Sequence, residues 1–156
     1  MTAQPEIYFE DFSEGQEIEL GSVTVDRDEV LEFARRYDPQ PFHVDEAAAR
    51  ASIYGGLIAS GWHTGAMMMR LLCDGLFLRA AGMGSPGLDQ LRWIRPVRPG
   101  DTLTLHGRVL TAKASRSKPD RGAVDISYKA FNQDGELAMT FQAVTLFARR
   151  HPGETT

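Results

Sequence analysis

The chain is poor in the features that would give it a specialised chemistry. It has one cysteine, Cys73, so no disulfide can form within it, and a reducing cytoplasm is the expected setting. Neither a C-x-x-C nor an H-E-x-x-H pattern occurs, which leaves a metal site without support. A formal net charge of -4, with no long basic run, argues against nucleic acid as a partner. The longest apolar run, near Ala66 to Leu72, is broken by Arg70 and is too short to span a bilayer. No basic block followed by an apolar one opens the chain, so a secretory signal is not expected. Internal repeats and low-complexity segments are missing as well.

What remains is an ordinary globular composition, 156 residues with 42% hydrophobic and 24% charged, enough to bury a core without staples. One domain over residues 1–150 is expected, with a flexible tail at 151–156. Glu17 to Val25 reads as a strand, with Gly21-Ser22 marking a bulge. Arg27 to Arg36 has helical spacing and Asp26 as its N-cap. Asp45 suits the N-cap of a short helix, Glu46 to Ala51. Ser60 suits the N-cap of a long apolar helix running from Gly61 to about Ala81. Trp62, Ala66, Met69, Leu72, Cys73 and Leu76 would share one face of that helix, and three charged residues in its length predict burial nearly all round. The second half reads as four strands: Leu88–Ile94, Thr102–Leu110, a segment around Val124–Tyr128, and Glu136–Arg149. Asn132 to Gly135 forms a hairpin turn before the last of them. One buried helix wrapped by an antiparallel sheet is an α+β layer architecture of hot-dog type. The free sheet edges predict dimerisation by sheet continuation, with higher oligomers open.

Between the two helical patterns lies Tyr37-Asp38-Pro39-Gln40-Pro41-Phe42-His43-Val44-Asp45. Proline fixes its own φ and keeps the preceding residue out of the helical region. Asp38 and Gln40 each precede a proline, so a stiff, extended, non-helical segment is predicted. It would hold one carboxylate and one imidazole at fixed positions.

These residues, followed by Gly55-Gly-Leu-Ile-Ala-Ser-Gly61 and by Leu91-Arg-Trp-Ile-Arg-Pro-Val-Arg-Pro-Gly-Asp101, resemble the signature of the MaoC-like dehydratases, the R-specific enoyl-CoA hydratases. The resemblance runs from about Phe9 to Arg149. It implies a hot-dog fold and an acid/base pair at Asp38 and His43. It also implies a helix-start glycine at Gly61 whose backbone N–H faces the thioester oxygen. The substrate would be an acyl-CoA thioester, with coenzyme A as part of the substrate and no separate cofactor. Gln40 stands where the family most often has asparagine, and Ser60 where it commonly has histidine. Gln40, Pro41, Ile58, Ser60 and Trp62 are expected to contact substrate.

The chemistry asks for these groups. Adding water across an α,β-unsaturated thioester needs a base for the water, a proton for the α-carbon and donors for the charge on the thioester oxygen. A carboxylate with an imidazole supplies the first two. The unpaired N–H groups at a helix start supply the third. Plainer roles exist for the neighbours: Asp45 as a cap, His63 and Met67 to Met69 as packing, Trp62 as core, His106 as solvated. Lys113, Arg116, Lys118 and Arg121 read either as a solvated loop or as partners for coenzyme A phosphates. Two other functions compete. A hot-dog thioesterase would carry its working carboxylate on the central helix, where Asp74 is available. A non-catalytic acyl-binding subunit would keep the pair as architecture.

Overall fold

The computed structural model describes residues 3–153. Five strands, β1 (Glu17–Thr24), β2 (Asp89–Trp93), β3 (Thr102–Ala114), β4 (Arg121–Phe131) and β5 (Leu137–Ala148), form one antiparallel sheet in the order β1-β3-β4-β5-β2. Four helices, α1 (Arg27–Tyr37), α2 (Pro41–Val44), α3 (Glu46–Ala51) and α4 (Gly61–Leu72), all lie in the connection between β1 and β2. This is the hot-dog architecture. The core lies between the sheet and α4, where Met67, Met68, Leu71 and Leu72 meet Leu103, Leu105, Ile126 and Tyr128 from the strands.

Local sequence accounts for most boundaries. The Asp26 carboxylate accepts from the backbone of Asp28 at 2.6 Å and of Glu29 at 3.3 Å, satisfying two of the donors that open α1. That helix stops where Asp38 precedes Pro39, and Asp45 caps α3 by accepting from Ala48 N. Pairing of β1 with β3 slips between Glu19 and Ser22, and Gly21 there has φ +89°, a backbone state that costs glycine little. The hairpin between β4 and β5 is closed by the Asn132 side chain, which accepts from the backbone of Asp134 and Glu136.

Two expectations are corrected. The α-helix that begins at Gly61 ends at Leu72 and gives way to a π-helical turn over Cys73–Phe77, so it stops short of Ala81. It is also not buried all round. The inward face carries His63, Thr64, Met67, Met68, Leu71 and Leu72. Trp62 is 62% exposed and Met69 48%, because residues spaced by three and four from Thr64 and Met68 take the side that faces the sheet. Near the end of the chain the Arg150 guanidinium donates to Asp11, His151 N to Glu10 and Gly153 N to Pro119 O. The rest of the expected tail, residues 154–156, lies outside the described residues. No helix among the described residues is long and apolar enough to cross a membrane.

Candidate active site

The two prolines act differently from each other. Gln40 is extended, as predicted, whereas Asp38 leaves the helix at φ -152°, ψ 67°, outside the extended region, and Pro41 opens the single helical turn α2, with Gln40 as its N-cap. A proline at the first helical position loses no hydrogen bond and has its φ already set. The segment is therefore stiff but only half of it is non-helical. The turn matters because it carries His43 inward: the imidazole is 4% exposed.

Both ring nitrogens of His43 are engaged. Nδ1 lies 2.8 Å from the carbonyl oxygen of Ile58. A carbonyl only accepts, so Nδ1 carries a proton and Nε2 is the nitrogen left to exchange one. Nε2 stands 3.3 Å from Asp38 Oδ2. The Phe42 ring meets the imidazole edge-on at 4.6 Å. The Asp38 carboxylate accepts from Ser60 Oγ on Oδ2 and from Gln40 Nε2 on Oδ1, each at 2.7 Å. Burial pushes this carboxyl up. The bonds from Ser60 and Gln40 and the nearby His43 outweigh that effect, and the group is held below the ordinary carboxylate value.

Asp38 and His43 open onto a cavity of about 550 Å³, whose wall also includes Gly61, Trp62 and Thr64 from the first turn of α4. Ser60 caps that helix, its Oγ accepting from Trp62 N at 3.3 Å. The Gly61 N–H, one residue earlier, has no acceptor within the helix. Gly61 is required here by close approach: a Cβ at this position would overlap the Trp93 indole. The indole Nε1 in turn donates to the Gly61 carbonyl at 2.9 Å. A second, apolar cavity of about 210 Å³ adjoins the first through Trp62 and Trp93, which line both.

The structure thus brings Asp38, His43, Gln40, Ile58, Gly61 and Trp62 to one cavity. It does not bring Pro41 or Ser60 to its wall. Pro41 is spent on starting α2, and Ser60 is fully buried behind Asp38. Trp62, expected to contact substrate and with packing in the core as its plainer role, lines the cavity. Trp93, Ile94 and Arg95, not expected as site residues, also line the cavity. Their signal was an aromatic-aliphatic-basic run directly before Pro96, where strand pairing has to stop and side chains are released from the sheet. The basic hairpin end between β3 and β4 is remote: Arg121 pairs with Ala148, whereas Met139, nine residues back along β5, pairs with Trp93 at the cavity. That separation is about 30 Å of strand. Asp74 is likewise away from the cavity, bound to Arg70 at 2.9 Å on the exposed side of the helix. Among the described residues no three His, Cys, Asp or Glu side chains converge as a metal site would require.

A family profile described as "MaoC like domain" matches residues 11–130. The solved structure of a MaoC-like dehydratase from Rhodospirillum rubrum is 40% identical and superimposes with a TM-score of 0.87, covering 93% of this chain and 99% of that one. The uncharacterized protein YdeM of Bacillus subtilis is 29% identical over 136 residues, 83% of this chain and 95% of that protein. An (R)-specific enoyl-CoA hydratase of Rhodospirillum rubrum is 33% identical over 98 residues, 62% of this chain and 65% of that enzyme's length.

Proposed function

The chain belongs to the family of MaoC-like domains, and from that premise we propose that it is a hydro-lyase acting on acyl-CoA thioesters. Its reaction is R-specific hydration of a 2-enoyl-CoA or the reverse dehydration of a 3-hydroxyacyl-CoA. One observation carries the reading: the Asp38–His43 pair, 3.3 Å apart, shares a cavity with the N-terminus of α4. The hydratase of Rhodospirillum rubrum among its relatives supports the same reaction type.

Each group then has a task. The carboxylate of Asp38, held ionised by its low pKa, accepts a proton from water. Oδ2 is already occupied by Ser60 and His43, while Oδ1 carries only the amide of the exposed Gln40, so Oδ1 is the oxygen that a water can reach. His43 exchanges its proton at Nε2, because Nδ1 is committed to Ile58. In hydration the water oxygen bonds to the β-carbon and gives up one proton to the pair. The pair delivers a proton to the α-carbon and returns to its starting state. Charge that builds on the thioester oxygen meets the Gly61 N–H and the positive end of α4. The pair and the donor come from different elements, α2 and α4, so the substrate's two reacting ends are handled from two sides of the cavity.

A thioesterase would use a carboxylate of the central helix, and Asp74 is turned outward and paired. Self-association belongs to the proposed reading. β2 is an edge strand, and Leu88, Ile94, Trp62 and Met69 are exposed apolar side chains, a combination that suits a homodimer. Light scattering on the purified protein tests this, and a monomer at micromolar concentration would refute it.

The activity test is direct. Purified protein is mixed with crotonyl-CoA, and loss of the enoyl-thioester ultraviolet absorbance is followed while a thiol reagent monitors free coenzyme A. The expected result is hydration to a 3-hydroxyacyl-CoA of R configuration with no thiol released. Thiol release would establish hydrolysis, and binding without turnover over a series of chain lengths would establish a non-catalytic role.

A further inference from the structure

Ser60 is 0% exposed, yet its hydroxyl is used in two directions. It donates to Asp38 Oδ2 at 2.7 Å and accepts from Trp62 N at 3.3 Å. Its backbone is anchored as well, since the Ser60 carbonyl accepts from Thr64 N at 3.0 Å, the first bond of α4. The other donor to the carboxylate differs in kind. Gln40 is exposed and reaches Oδ1 through a flexible side chain, so solvent or substrate can displace it. The Ser60 hydroxyl is itself fully buried, so losing its bond to Asp38 would leave a buried donor without that partner.

Resting on the hydration reading, we propose that Ser60 is a positioning residue that ties the Asp38 carboxylate to the first turn of α4. The proton acceptor and the Gly61 N–H then sit at a fixed separation, although they belong to segments more than twenty residues apart in sequence. The tie also assigns the two carboxylate oxygens: Oδ2 becomes structural and Oδ1 reactive. The titratable groups that face Asp38 across the same cavity are His43 on α2, Tyr54, and Arg95 beyond β2. Ser60 differs from them in having no group that titrates. Its hydrogen bond favours the ionised form of Asp38 without adding a proton that could compete in the reaction.

The cap and the tie can be separated by choice of substitution. Glycine is nearly as good an N-cap as serine, whereas alanine is poor. Neither can donate to Asp38. Ser60→Ala, Ser60→Gly and Ser60→Thr are therefore compared by two readouts. The first is the titration of the Asp38 carboxyl carbon, followed by ¹³C NMR, which needs no turnover. The second is kcat and KM for crotonyl-CoA. The Asp38 midpoint should move to higher pH in both Ser60→Ala and Ser60→Gly, and return towards wild type in Ser60→Thr. Loss of a hydrogen bond to a charged group should lower kcat about tenfold or more, with KM changed much less. An unchanged midpoint in the two variants, or a change in the alanine variant alone, would overturn the proposal by showing that Ser60 acts only as a cap. If wild-type protein hydrates no enoyl thioester, the reaction assignment falls, while the Asp38 titration still decides the role of Ser60.

Discussion

The two ends of the central helix carry the same kinds of residue and use them differently. At its start a carboxylate, Asp38, is enclosed by Ser60, Gln40 and His43, and a glycine, Gly61, lies under the face of an indole. At its end a carboxylate, Asp74, pairs with Arg70 in solvent, and a glycine, Gly75, packs where an added Cβ would come within 3.2 Å of the Leu20 Cα. Each end has an acid and a close-approach glycine. Among the described residues only the first has unpaired N–H groups and a buried imidazole at a cavity shared with the acid. Residue types do not separate the ends. The direction of the helix does, because donors collect at the N-terminus.

The strongest way to break this comparison is to neutralise each acid. Asp38→Asn should reduce kcat for enoyl-CoA hydration by ~10² or more, the usual loss for a general base, while Asp74→Asn should leave kcat within about twofold of wild type. Steady-state kinetics on the two variants would decide it, and equal losses would mean that both ends take part.

The glycines give the next largest contrast. Gly61→Ala must displace the Trp93 ring and should lose both activity and stability, the latter by about 1–3 kcal/mol. Gly75→Ala meets Leu20 at 3.1–3.3 Å and should lower Tm while kcat is retained. Thermal melts paired with kinetics on the same preparations separate the outcomes.

A pH test sharpens the comparison within the first end. His63, in the first turn of the helix, is buried like His43, but it stacks on Phe33 at 4.9 Å and its Nδ1 has no hydrogen-bond partner. Burial pushes its pKa below the ordinary 6.5, and the charge of Glu29 opposes this only in part. The unfolded chain therefore takes up the proton first. The stability from neutral His63 is full above about pH 6.5 and is lost as pH falls through that value towards the folded pKa. His63→Leu should flatten the fall of Tm between about pH 7 and 5. A melt series showing the same slope in both proteins would contradict this account.

The smallest effect is expected from Arg70→Ala, which removes an exposed i,i+4 ion pair. It should shift the denaturant midpoint only slightly, and less in high salt.

Much of this arrangement could be read in the residues, and the gaps have a physical pattern. Caps and turns were legible because they are local: Asp26, Asp45, Ser60 and Asn132 act within four residues of themselves. The pairing of Asp38 with His43 was legible for the same reason, since five residues and two prolines leave few conformations. The buried side of α4 was misassigned because the helix is apolar over most of its surface, and hydrophobic pattern cannot choose among apolar faces. The bonds from Ser60 to Asp38 and from Trp93 to Gly61 span 22 and 32 residues, so no local rule could have placed them. Pro41 misled because a proline that breaks one helix is also favoured at the first position of the next.

Trp62 and Trp93 are the chain's two tryptophans, and both stand in the cavity wall with ring centroids 5.3 Å apart. The protein's intrinsic emission therefore originates almost wholly at the site where substrate would bind, and the Trp93 indole N–H is tethered to the backbone of Gly61. Ligand affinity can accordingly be followed by unlabelled fluorescence titration, even in catalytically silent variants.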